Sequence, residues 1–238
     1  MRFVRCLPLV ASLAVASVGG AQVRAKNFLV SVRGGYLSFD RASSIHGAPM
    51  IGLNADYNFN EMFGLGVGLI ATRPNTRGED FITSLKYGDS VTYLFKVTQP
   101  LSVTDASINA TLRAPAMRIQ PYVSGGVGAY TIYLDPQASN GPSRFSRMSG
   151  NVGVGVNMRV TQRTGILLES RGLIYTDYKR SRLNPSRVGF ADTRFVGDYP
   201  APPKEKNTLR SITLTLGFSF IPSRNSVDND DQQEEDNR

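Results

Sequence analysis

The chain has 238 residues, 41% of them hydrophobic and 19% charged, with a formal net charge of +8; that is enough for one large domain and too apolar for a disordered polymer. One His, one Cys and no Trp argue against a Cys/His metal site, a disulfide framework and a thiol nucleophile. The charge is uneven: Asp228 to Arg238 carries six acids and one Arg, so the basic excess lies upstream.

The N-terminus opens with Arg2 and Arg5, continues through the apolar stretch 7–18 and exits through small residues at 17–21. That order is a secretory signal peptide, assigned to residues 1–21, with cleavage near Ala21 or Ala25. Cys6 precedes the apolar stretch rather than standing at its exit, where a lipoprotein signal would place it. The stretch is shorter than the ~20 residues of a spanning helix, and no later segment is longer. An exported chain that enters a membrane must therefore do so with strands.

From residue 28 onward the apolar period is two, the period of a strand. Phe28, Val30, Val32 and Tyr36 oppose Ser31, Arg33 and Gly35. Ile51 to Phe59 alternates with Gly52, Asn54, Asp56 and Asn58, and Phe63 to Ala71 with Gly64, Gly66 and Gly68. Ala106 to Ala114 opposes Ser107, Asn109, Thr111 and Arg113. The segments 121–130, 151–160, 166–174 and 211–220 continue the pattern. These eight segments have the length that crosses a bilayer at barrel tilt.

Short turns are expected near Asn60–Glu61, at 115–118 and at 161–164; the segments 40–47, 73–105, 135–149 and 176–207 read as longer loops. Short turns at one end and long loops at the other describe an all-β, antiparallel, up-and-down transmembrane barrel over residues 22–220. Gly88-Asp89 sits between two alternating stretches in 80–98, a hairpin signal. Either the hairpin protrudes above eight spanning strands or it supplies two more, making ten. A soluble barrel shares the period, but a small interior of Gly and Ser makes no dry ligand cup. Phe28, Phe59, Phe63 and Phe220 at the turn end, with Tyr36 and Tyr133 at the loop end, match two bilayer interfaces.

Three stretches resemble a family. Pro121-Tyr-Val-Ser-Gly-Gly-Val-Gly-Ala-Tyr130, Ile166-Leu-Leu-Glu-Ser-Arg171 and Leu214-Thr-Leu-Gly-Phe-Ser-Phe220 are similar, in that order, to strands of bacterial outer-membrane β-barrel proteins of the OmpA/OmpX transmembrane class. The resemblance implies an outer-membrane location, a closing strand read by the barrel assembly machinery, and lipid and lipopolysaccharide as surroundings. In this chain eighteen residues follow Phe220; the segment 221–238 reads as an acidic, solvated periplasmic tail.

The polar parity collects Arg33, Asp56, Arg113, Glu169 and Arg171, with Arg159 near a turn. These are read as a lumenal ion network in which Glu169 pairs with one or more arginines and blocks conduction. Other chemistry is set aside. The glycines at 64, 66 and 68 lack the third fingerprint Gly and any P-loop Lys. Asp56 with Glu169 as a glycosidase pair competes with nearby arginines. His46 beside Asp40, Ser43 and Ser44 is too local for a catalytic triad. No enzyme activity, metal, cofactor or nucleic-acid partner is expected. The basic loop 176–207 points to phosphates of lipopolysaccharide or to acidic polymers outside the cell. The expected function is a structural or surface-interaction barrel, with a narrow channel and a lipid-modifying enzyme as alternatives.

Overall fold

The computed structural model describes residues 26–87, 91–115, 118–134, 144–183, 191–195 and 203–222. The segment 1–21, expected to be a signal peptide, and the expected acidic tail from residue 223 onward lie outside the described residues. Eleven strands occur in the described chain: β1 (Asn27–Phe39), β2 (Ala48–Asn58), β3 (Phe63–Thr72), β4 (Ile82–Tyr87), β5 (Val91–Val97), β6 (Leu101–Arg113), β7 (Ile119–Leu134), β8 (Arg144–Arg159), β9 (Thr164–Thr176), β10 (Ala191–Phe195) and β11 (Thr208–Phe220).

Eight of them close a barrel in the order β1-β11-β9-β8-β7-β6-β3-β2, every pair antiparallel. Closure is made between the first and last strands, with Val30 opposite Phe220 and Tyr36 opposite Leu214. Closing the sheet on itself leaves no unpaired barrel edge, which a strand protein needs in lipid because no water is there to satisfy one.

Local chemistry fixes the tight ends. The Asn60 side chain accepts from the backbone N–H groups of Met62 and Phe63 at 2.9 and 2.6 Å, an Asx turn that reverses β2 into β3. Thr161 does the same between β8 and β9, accepting from the N–H of Thr164 at 3.0 Å. Along each strand the wall residues alternate. Val67, Val127, Val152, Leu214 and Phe218 point outward and expose 59–68% of their surface, a continuous apolar band that only lipid can cover. At the turn end, Phe28, Tyr57, Phe59 and Phe63 form a chain of ring contacts with centroids 5.1, 5.2 and 5.7 Å apart.

Eight strands span, so the ten-strand alternative falls. The hairpin of β4 and β5 stands apart from the barrel wall and is joined by β10, from the last long loop, in a three-stranded sheet ordered β10-β5-β4. The expected loops 73–105, 135–149 and 176–207 need correcting. β6 begins at Leu101, β8 begins at Arg144, and β10 lies within the third loop. The first two strands extend beyond the apolar outward pattern because the polarity of the faces inverts at the loop end. There Leu101 and Val103 point inward and are buried, while the outward Thr104 is exposed.

Candidate functional site

The interior has two halves. Toward the short turns it is polar; toward the loops it is apolar, so the lumen is not polar along its whole length.

In the inner half every barrel strand except β3, whose inward positions are Gly64, Gly66 and Gly68, brings charged or hydrogen-bonding side chains to the axis by the strand period alone. Glu169 of β9 is the centre. Arg33 of β1 donates to its Oε1 through Nη1. Arg171 donates to Oε1 from Nε at 2.9 Å and to Oε2 from Nη2 at 3.2 Å, and the Tyr122 hydroxyl donates to Oε2 at 2.7 Å. A second cluster lies on β2 and β6. Arg113 donates from Nη2 to Asp56 Oδ2 at 3.3 Å and from Nη1 to Asn58 Oδ1 at 2.6 Å. All five charged residues expose 6% or less. At such burial an unpaired charge would be expensive, and these bonds are what permits the arrangement.

Asp56 and Glu169 are thus held in separate clusters, Asp56 on Arg113 and Glu169 on Arg33 and Arg171. Arg159, of the same parity, stays half-buried beside the turn. The sequence reading placed Asn58 on the polar face but left it out of the ion network, together with Tyr122 and Asp105. All three were legible from parity: Tyr122 alternates inward between Pro121 and Val123, and Asp105 lies two positions before Ser107. Asp105 is buried at the boundary with the outer half, opposite Ile70 and Tyr130, and neither carboxyl oxygen has a hydrogen-bond partner within the protein.

The outer half is a stopper. Leu37, Leu101, Ile132, Leu134, Leu173, Tyr175 and Leu209 fill it from the barrel strands, and Ile45, Tyr178 and Leu183 enter it from the loops. Ile45 and Leu183 are fully enclosed. The loops are pinned over it. The Tyr178 hydroxyl donates to the Ser43 carbonyl, Arg41 binds Asp80, and Lys206 reaches Asp40 at 3.2 Å. Arg147 and Arg182 share Asp177 at 2.6 and 3.3 Å. The hydrogen bond from Arg147 leads the contacts that hold the Asp177 carboxyl below its ordinary value. For Asp40 the leading cause in the same direction is the N–H of Ala42.

The rejected triad is not assembled as catalysis would need. The Ser43 hydroxyl donates to the Asp40 carbonyl at 2.6 Å and accepts from the N–H of Ile45, so it serves the loop, and His46 is exposed. Among the described residues no group of three or more His, Cys, Asp or Glu is placed to hold a metal ion.

A family model described as outer membrane protein beta-barrel domain matches residues 9–220. Among solved structures, Neisserial surface protein A (NspA) is similar with a TM-score of 0.51 and 14% identity, covering 85% of this chain and 98% of that one. The outer membrane protein OprG from Pseudomonas aeruginosa gives 0.45 and 12%, covering 86% and 100%. The N-terminal β-barrel domain of Pseudomonas aeruginosa OprF gives 0.42 and 16%, covering 83% and 100%. The likeness to NspA concerns the fold alone. No curated protein matches the sequence.

Proposed function

The chain belongs to the outer membrane protein beta-barrel domain family, and from that membership we propose that it is a closed, non-conducting barrel of the outer membrane, serving envelope structure and surface contact through its loops. The observation that carries this reading is the stopper. Ile45 and Leu183, from two different loops, are fully enclosed among barrel residues, so an ion crossing the lumen would have to leave water for a packed apolar layer. The inner ion clusters stand in series with it, in an eight-stranded interior only wide enough to be filled by side chains.

Surface contact is the second half of the proposal. Among the outer acids, Asp40, Glu79, Asp80 and Asp177 are engaged by arginine or lysine and Glu205 accepts from Ser181, whereas Arg73, Arg144, Lys179, Lys204 and Arg210 are exposed at the loop end. Phosphate groups of lipopolysaccharide are the anions such cations would meet first in an outer leaflet. No catalytic role is proposed, because Glu169 and Asp56 are committed to arginines and Ser43 to backbone.

Planar-bilayer recording on the purified, refolded barrel tests the closure. Little or no steady conductance is expected; a large, stable conductance would replace this reading with that of a narrow channel.

A further inference from the structure

Between the two inner clusters lies a cavity of about 20 Å³, lined among others by Arg33, Asp56, Ser124 and Glu169. Three polar atoms of its lining residues have no hydrogen-bond partner within the protein: Nε of Arg33, Oδ1 of Asp56 and Oγ of Ser124. All three residues expose 6% or less. Such atoms are rare in folded interiors and each calls for a partner. They are also chemically mixed, since Arg33 Nε–H can only donate, Asp56 Oδ1 can only accept, and the Ser124 hydroxyl does either.

That mixture selects the guest. Chloride could accept from Arg33 but would face the Asp56 carboxylate. A sodium ion would suit Asp56 but would face a guanidinium. A neutral molecule that both donates and accepts meets every requirement. The volume admits one such molecule of the smallest size, since a cavity needs roughly 10–15 Å³ to hold a water.

We propose that this cavity is a binding site for a single ordered water, which accepts from Arg33 Nε–H and donates to Asp56 Oδ1 and so joins the Glu169 cluster to the Arg113 cluster. The two clusters share no direct hydrogen bond among the described residues. The water makes them one network, and the lumen then holds a wet inner half beneath a dry outer one.

The test uses the full barrel, refolded in detergent micelles with uniform nitrogen-15 labelling. The Nε–Hε resonance of Arg33, assigned through side-chain correlations, is expected to show cross-relaxation with water of the sign that marks a long-lived bound molecule. In Ser124→Val, where a methyl group enters the cavity, that cross-relaxation is expected to disappear while the Arg33 resonance persists. Absence of the water contact in the unmodified barrel would overturn the proposal, and this measurement decides even if Ser124→Val fails to fold. An anomalous peak at the cavity in crystals soaked with bromide or thallium would overturn it too, by showing an ion there.

Discussion

Arg33 of β1 and Glu169 of β9 are bonded across β11, the strand that lies between them, on which Arg33 stands opposite Gly217 and Glu169 opposite Thr215. A methyl group at Gly217 would come within 2.3 Å of the Val32 carbonyl oxygen and 2.8 Å of Arg33 Cβ. Gly66 plays the same part beside Asp56, whose Oδ1 would stand 2.1 Å from an added Cβ. The glycines opposite the charged residues are the clearance that the ion clusters require.

The first prediction follows from this. Glu169→Ala removes the one carboxylate that neutralises Arg33 and Arg171, and breaking a buried pair in this way costs about 3–5 kcal/mol. Urea unfolding of the refolded barrel, followed by the shift between folded and heated forms on a gel, should show the loss. Gly217→Val is expected to act in the same direction without touching any charge. An unchanged midpoint in both variants would mean that the clusters contribute little.

The second concerns the wall. Leu214→Arg and Val154→Arg place a cation in the apolar band and should cost about 2–4 kcal/mol near the bilayer midplane. A size-matched pair is the sharper control, because Val154 is 57% exposed to lipid and Thr215 is buried in the lumen. Val154→Thr is expected to reduce assembly more than Thr215→Val. The reverse order would show that the faces are assigned inside out.

How much of this was legible in the sequence depends on which solvent a strand segment meets. Within the membrane band, outward residues such as Leu65, Val67 and Leu69 are apolar and inward ones, Leu29 and Leu167 excepted, are small or polar, so period two marked all eight strands and placed Arg33, Asp56, Arg113, Glu169 and Arg171 on one parity. Above the band the outward face meets water and the inward face meets the stopper. The pattern then reverses, as at Leu101 to Thr104, and a reading tuned to apolar-outward strands stops too soon. The stopper was hidden for the same reason. Ile45 and Leu183 belong to loops, and nothing in their local spacing says that they turn inward.

The third prediction is electrical. With the stopper in series, Glu169→Ala should leave conductance low, whereas the double substitution Ile45→Ser with Leu183→Ser should raise it by opening the apolar layer where the loops close it. Single-channel recording distinguishes the two. A leak from Glu169→Ala alone would assign the seal to the ion clusters.

The fourth concerns pH at the mouth. Partial burial raises the Asp80 carboxyl, but its bonds to Arg41 and the charges of Arg41 and Arg180 outweigh this and hold it below the ordinary value of 3.8. A carboxyl depressed in the folded state contributes stability that is complete above its unfolded value and is lost as pH falls through the folded one. The Arg41–Asp80 pin should therefore hold through neutral and mildly acidic conditions and release only below 3.8. Carbon-13 titration of the Asp80 carboxyl is expected to give a midpoint under that value; a midpoint above it would refute the pin.

The sheet of β10, β5 and β4 draws on two loops that are far apart in the chain, 73–100 and 177–207, and its pairing of Arg194 with Phe95 exists only when both are present. For an immune system it is a composite epitope. A synthetic peptide copying the earlier loop presents a bare hairpin, and one copying the later loop presents a single strand without its neighbour. Antibodies raised on either peptide would meet a different shape on the intact surface, so serological work on this protein calls for the refolded barrel as immunogen.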